Sequence, residues 1–342
     1  MTTIAAPLQR RTLDILPGAV LCGVIAAVAL LIGHLAPVLG SAVPAIVLGV
    51  LVGLARRPDP TLVPGVRFAG RTLLQIAVVL LGSQLSVGDI ARVGVGSLPV
   101  MLGTLGACLL GAWLVGRGLG VVGDLRTLIG VGTGVCGASA IAAVSPVIAA
   151  ADTTIAYAVS TVFVFNIGAV LTFPLVGHLL GLSQQAFGLF AGTAVNDTSS
   201  VVAAASAYGP EAMRHAVVVK LVRSLMIIPI CVALGAWANR RTSAGSAAGP
   251  GRRLVQIVRL VPGFLIGFLV MAVARSVGMV PAPIADRMAP VAAYLIAVAM
   301  AGIGLSTDLP ALRRTGPRPL LLGGVLWLVV SATSLGIQHL LG

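Results

Sequence analysis

Charge is scarce in this chain. Only 9% of its 342 residues are charged, against about a quarter in ordinary soluble domains, and that excludes a soluble globular protein. Aromatic residues make up 4%, too few for the base-stacking platforms of nucleic-acid binders. The four cysteines, Cys22, Cys108, Cys136 and Cys231, have no paired spacing and so suggest neither a zinc site nor a disulfide framework. No Gly-x-x-x-x-Gly-Lys-Ser/Thr run occurs, which removes ATP as an energy source. An intramembrane enzyme would need paired acids on facing helices, His-Glu-x-x-His, or a Ser with a His. Asp197 is the one acid clearly inside an apolar span. We therefore expect no enzyme, no catalytic residue, no metal and no organic cofactor.

What the chain has in abundance is apolar sequence. It is 58% hydrophobic, with a mean hydropathy of +1.08. A run of about 20 apolar residues crosses about 30 Å of hydrocarbon as a helix. Eleven such segments can be read, at 17–38, 41–55, 70–88, 96–116, 127–150, 153–180, 186–208, 215–238, 258–279, 288–306 and 319–341. The expected fold class is all-α: a polytopic membrane protein, one transporter domain over 1–342. The polar stretch 239–259, rich in Ser, Gly and Arg, is expected to be a flexible cytoplasmic loop joining two halves. The first run is too long for a signal peptide and reads as a retained helix.

The net charge of +13 follows the membrane, and no nucleic acid is expected as partner. With eleven crossings and the N-terminus inside, sixteen basic residues fall in inner loops and four (Arg92, Arg214, Arg275 and Arg287) in outer ones. That asymmetry is the positive-inside rule, and it places the N-terminus in the cytoplasm. Lys220 and Arg223, inside the eighth segment, complete the 22.

Two internal similarities stand out. Ile76–Ser86 (IAVVLLGSQLS) aligns with Ile296–Ser306 (IAVAMAGIGLS), and each is followed by an aspartate, Asp89 or Asp308. Segments seven apart point in opposite directions, the sign of an inverted repeat. The second similarity pairs two polar, glycine-rich interruptions, Gly132–Ser139 (GTGVCGAS) and Gly192–Ser200 (GTAVNDTSS), through Gly132/Gly192, Thr133/Thr193, Val135/Val195 and Ser139/Ser199, and continues to Ala143/Ala203. Broken helices at membrane depth are tolerated where they line a cavity or are buried in protein. Both segments can cross as discontinuous helices, or both can be re-entrant hairpins entering from opposite faces. The charge rule separates neither, and crossing is the first expectation.

In the first interruption Gly132, Gly134 and Gly137 disfavour helix by about 1 kcal/mol each relative to Ala. Thr133, Cys136 and Ser139 add small polar groups, and a half-helix from Gly137 through Ala138 would present N–H groups suited to an anion. Close packing of small residues is the alternative. In the second, Asn196, Asp197, Thr198 and Ser199 resemble a helix N-cap. An ionised Asp at the bilayer centre costs at least about 2.5–3.5 kcal/mol, so Asp197 is the candidate to bind a coupling H+ or Na+, with a plain cap as the alternative. Lys220 and Arg223 share one helix face. Lys220 either snorkels to the interface or binds substrate, and Arg223 is placed to pair with Asp197 or an oxyanion. Asn166, Gln75, Ser83, Gln84 and Ser86 line a cavity or bond between helices.

At these residues the sequence resembles the YeiH-like family of bacterial inner-membrane proteins named as sulfate exporters. The resemblance runs over essentially the whole chain and is carried by GVGTGVCGASA from Gly130, AGTAVNDTSSVV from Ala191 and KLVR from Lys220. Related families carry His or Asn before the Asp; here it is Asn196. Grouping with the bile acid, arsenite and riboflavin transporters implies a core domain of two broken helices that works against a panel domain, and it favours crossing helices. It also implies a secondary transporter of a small anion such as sulfate or an organosulfonate, in a bacterial inner membrane. The order of motifs after the second interruption departs from that pattern. A passive anion channel and a carboxylate carrier stay open as alternatives, as does a homo-oligomer beside a single copy.

Overall fold

A computed structural model describes residues 5–35, 41–55, 59–121, 123–227, 229–231, 233–234, 263–307 and 316–341. The expected loop at 239–259 and the aspartate Asp308 lie outside them. Among the described residues there is no strand. In hydrocarbon every backbone N–H and C=O must be satisfied within the segment, and the helix does this.

In chain order the helices are α1 (Ala5–Leu35), α2 (Ala42–Ala55), α3 (Val63–Phe68), α4 (Leu74–Leu81), α5 (Val87–Gly118), α6 (Gly123–Gly134), α7 (Ala138–Val144), α8 (Asp152–Leu179), α9 (Gln184–Ala194), α10 (Thr198–Tyr208), α11 (Pro210–Leu225), α12 (Gly263–Ser276), α13 (Ala282–Leu305) and α14 (Pro317–Leu341). A π-turn at Ala69–Leu73 joins α3 to α4, and the 3-10 turn Gly82–Gln84 ends α4. Among the described residues, six stretches are long and apolar enough to cross a membrane: Asp14–Leu35, Val63–Gln84, Val87–Gly118, Asp152–Leu179, Ala282–Leu305 and Pro317–Leu341. The chain is thus a polytopic all-α membrane protein.

Several helices outrun their apolar windows. Val63–Gln84 takes in Arg67 and Arg71, α5 takes in Arg92, and α13 takes in Arg287, all read from sequence as loop residues. A helix keeps its backbone bonds through a charged residue at its end, while the long side chain reaches for water. Hydropathy marks the slab, and the helix continues past it.

The chain forms two compact units: Met1–Val87 with Val202–Arg214 and Gly267–Asp308, and Gly88–Val201 with His215–Ile266 and Leu309–Gly342. The first is built on backbone approach at glycine. A Cβ on Gly49 would stand 2.5 Å from Ala301 O, and one on Gly302 would stand 2.9 Å from Gly70 N. Gly18 and Gly65 face one another in the same way, each against the other helix's backbone. Small residues let helices touch where lipid offers no hydrophobic drive for association. Here the helices that carry the two copies of the first internal similarity pack together. Gln84 Nε2 donates to Ala285 O at 2.5 Å, while Gly70 lies against Gly302 and Ile303. Gln84 thus lies near the start of α13 and Gly70 near its end, so the two helical stretches run antiparallel, as an inverted repeat requires.

In the second unit α14 packs on α6, α8 and α9, and α6 packs on α7 and α8. Phe173 of α8 stacks on Trp327 of α14 at 5.2 Å, and its ring centroid is 4.6 Å from that of Phe190 of α9. These rings brace α9, the helix that leads into the second interruption, against α8 and α14.

Candidate functional site

Both interruptions lie in the second unit, and each ends one helix and starts another. Gly132, Thr133 and Gly134 close α6, Val135–Gly137 form the break, and Ala138 starts α7. Val195 is extended after α9, and Asp197 precedes the first residue of α10, Thr198. The two breaks touch: a Cβ on Gly137 would lie 3.5 Å from Asp197 Cα and Cβ.

The first break turns the chain back. Gly137 N donates to Gly132 O at 2.9 Å, and Gly137 takes φ +69° and ψ −133°, a combination open in practice only to glycine. The Ile141 Cδ1 atom lies 2.9 Å from where a Cβ on Gly132 would stand. Nine residues of straight helix would separate those positions by about 13.5 Å. The chain therefore turns sharply at Gly137 and brings α7 back against the end of α6.

A helix that ends inside a membrane leaves carbonyls without partners and a partial charge of about −0.5 at its C-terminus. Two such ends meet here, and two cations from α11 satisfy them. Lys220, the chain's single lysine, is fully buried and donates through Nζ to Val135 O at 2.8 Å and Val195 O at 2.9 Å. Arg223, 1% exposed, donates from Nε to Gly134 O at 3.0 Å, from one terminal nitrogen to Thr193 O, and from the other to Thr133 O at 3.4 Å. Lys220 thus takes the matched pair Val135/Val195, and Arg223 the matched pair Thr133/Thr193. Lys220 does not snorkel. Arg223 turns its nitrogens to carbonyls and not to Asp197.

The helix starts are arranged differently. Asp197 caps α10: its Oδ2 accepts from Ser199 N at 3.0 Å, from Ser200 N at 3.3 Å and from the Ser199 hydroxyl. Asn166 of α8, itself buried, holds the break from behind, accepting through Oδ1 from Asn196 N at 3.1 Å and Asp197 N at 3.3 Å. Of the residues named from sequence as cavity or bonding groups, Asn166 and Gln84 bond between segments. Asn196 is 1% exposed, and among the described residues neither of its side-chain polar atoms has a partner.

The first break has no acid. Ala138 and Ser139 are exposed, and the Ser139 hydroxyl turns back to Cys136 O at 2.8 Å and Cys136 Sγ at 3.0 Å. Residues 197–200 are half-buried, whereas 130–137 and 191–196 are buried. The carbonyl ends are sealed, and the accessible face is the one with the helix starts. Among the described residues no group of three or more His, Cys, Asp or Glu could hold a metal ion.

Two features went unnoticed in the sequence. The Thr193 hydroxyl pairs with Ser334 of α14 at 2.7 Å, and nothing local signals that contact. The carbonyls of Val135 and Val195 were detectable, because the two valines match within the paired motifs.

The family model described as conserved hypothetical protein 698 matches residues 17–323. A UPF0324 membrane protein of Streptococcus pyogenes serotype M6 is 40% identical over 334 residues, spanning 96% of this chain and 97% of that protein. A UPF0324 membrane protein of Streptococcus agalactiae serotype V is 37% identical over 337 residues, 96% of this chain and 98% of the relative. One from Streptococcus pneumoniae strain R6 is 39% identical over 333 residues, 95% and 97%. No solved structure matches the chain.

Proposed function

The chain belongs to the conserved hypothetical protein 698 family, the YeiH-like membrane proteins, and from that membership we propose that it is a secondary transporter of a small anion driven by H+ or Na+. One observation carries this reading. Inside an apolar bundle, two broken helices have their negative ends sealed by Lys220 and Arg223, so that the polar face left accessible holds helix starts, hydroxyls and a single carboxylate.

The roles follow from that geometry. Thr198, Ser199, Ala138 and Ser139 line the accessible face and receive the anion. Gly132, Thr133, Gly134, Cys136 and Gly137 shape the first break behind it. Lys220 and Arg223 act as positioning residues that also bias the site toward negative charge: two buried cations stand against one acid. Asp197 carries the coupling ion, because a carboxylate in this setting is either neutralised by taking up a proton or paired with a cation. Sulfate or an organosulfonate fits the chemistry, and a carboxylate shares its oxygens. Outward transport from the cytoplasm across a bacterial inner membrane, with the N-terminus inside, completes the reading.

Reconstitution tests it. Wild-type proteoliposomes should accumulate radiolabelled sulfate, methanesulfonate or succinate against its gradient when a pH or Na+ gradient is imposed. Asp197→Asn should lose that uphill flux. Uphill flux undiminished in Asp197→Asn would remove the coupling role, and flux that only ever runs downhill would make the protein a channel.

A further inference from the structure

The residue before the acid is the anomaly of this site. Asn196 is 1% exposed, yet among the described residues neither Oδ1 nor Nδ2 has a hydrogen-bond partner. A buried amide left in this state is costly and uncommon in native proteins. Its main chain is not loose, because Asn166 Oδ1 holds the Asn196 N–H at 3.1 Å and the next N–H at 3.3 Å. The amide is presented on a fixed backbone at the start of α10, an 11-residue helix, beside the carboxylate of Asp197. Both atoms are unpaired, so turning the amide over changes nothing.

The two ends of an amide ask for opposite partners. The oxygen accepts a hydrogen bond or ligates a cation; the nitrogen only donates. A cation alone satisfies Oδ1 and leaves Nδ2 bare, and an anion alone does the reverse. Both ends are satisfied together when a cation and an oxyanion are bound on either side.

We propose that Asn196 is the coupling element between the two ligands: its Oδ1 faces the cation or proton held at Asp197, and its Nδ2 donates to an oxygen of the substrate anion. The proposal rests on the transporter reading above and adds the residue by which one ligand senses the other. Either ligand alone fixes the amide in the orientation the second needs, so each raises the affinity of the other, as reciprocal linkage demands.

Asn196→Leu is the test, because it keeps the size and shape of the side chain and removes both polar ends. Thermal unfolding of the ligand-free full chain is measured first. An amide kept for ligands is a liability without them, so Asn196→Leu should raise the unfolding temperature; an amide that served only structure would make it fall. The second measurement is the affinity for sulfate, methanesulfonate or succinate across Na+ concentration and pH. Wild type should show a coupling factor of about 5- to 150-fold, the usual span, and Asn196→Leu should bring it to about 1. Where the leucine variant is not recovered folded, Asn196→Ser must still lose the linkage. A lower unfolding temperature, or retained linkage in the variant, overturns the proposal. Wild type without any linkage overturns the transporter reading instead, and the sign of the ligand-free shift still judges the amide.

Discussion

The two breaks agree at four of eight aligned positions, Gly132–Ser139 against Gly192–Ser199, and share their cations, yet they are held in different ways. At their carbonyl ends they are equivalent: Val135 and Val195 on Lys220, Thr133 and Thr193 on Arg223. At their amide ends they diverge. The second has an aspartate cap and the buried amide of Asn166; the first has a glycine turn and a serine folded onto its own break. The similarity of the motifs therefore encodes the shared scaffold, and the difference between them sets the polar groups at the helix starts. What is common to both holds the breaks closed behind, and what is peculiar to the second is set on a half-buried face.

The largest effect should come from removing what the breaks share. Arg223→Met orphans carbonyls on α6 and on α9 at once. Breaking a buried charged network from one side costs about 3–5 kcal/mol, so the purified protein should lose most of its thermal stability. Cys136, buried in the first break, reports the opening locally. In a chain whose other three cysteines are alanine, its alkylation should accelerate strongly in Arg223→Met. Arg223→Lys should not restore protection, since one ammonium cannot span the carbonyls that three guanidinium nitrogens reach.

Next comes a change confined to the first break. Gly137→Ala has room for its methyl, 3.5 Å from Asp197, so the penalty is conformational. Forcing an L-residue to φ +69° and ψ −133° costs about 1–3 kcal/mol. Faster Cys136 alkylation at a modest loss of thermal stability is the expected result. Unchanged alkylation would mean that the fold-back at Gly137 does not hold this break.

How much of this was legible beforehand follows from where each constraint resides. The place of each break was readable because glycine and small polar side chains weaken an apolar helix, but its extent was not: Gly132–Gly134 and Gly192–Ala194 still belong to α6 and α9. The cap at Asp197 was readable because N-cap chemistry is local. The partners of Lys220 and Arg223 were not. Charges were matched with charges in reading the sequence, whereas inside a membrane the ends of broken helices are themselves the counter-charge, and their carbonyls leave no mark in composition. The fold-back of α7 on α6 was equally hidden, because it depends on Ile141 packing against Gly132, a contact made by the turn itself. Helix ends were misjudged at Arg67, Arg71, Arg92 and Arg287 for the reason already given: hydropathy reports the hydrocarbon and not the hydrogen bonds.

A smaller effect belongs to the second break alone. Asn166→Ala takes the acceptor from the N–H groups of Asn196 and Asp197. Leaving a buried donor unsatisfied costs about 1–3 kcal/mol, here softened because Asp197 is half-buried and water can replace one bond. Stability should fall by an amount near the lower end of that range. Cys136 alkylation should stay at the wild-type rate, since the carbonyl clamp on α6 is untouched. Acceleration at Cys136 would show instead that the two breaks open as one unit.

The smallest effect sharpens the contrast most. Ser199→Ala removes one hydroxyl donor from Asp197 and leaves the N–H groups of Ser199 and Ser200 on the same oxygen. One hydrogen bond of this kind contributes about 0.5–1.5 kcal/mol net, so the unfolding temperature should move little. Its counterpart in the paired motifs, Ser139→Ala, removes a hydroxyl that bonds only within its own turn and should be at least as mild in stability. The two must then part in transport. If the acid makes the second break the coupling site, Ser199→Ala alters the dependence of uphill flux on pH or Na+, whereas Ser139→Ala alters only the apparent affinity for the anion. Equal changes in both quantities from both substitutions would mean that the breaks share the chemistry as fully as they share Lys220 and Arg223.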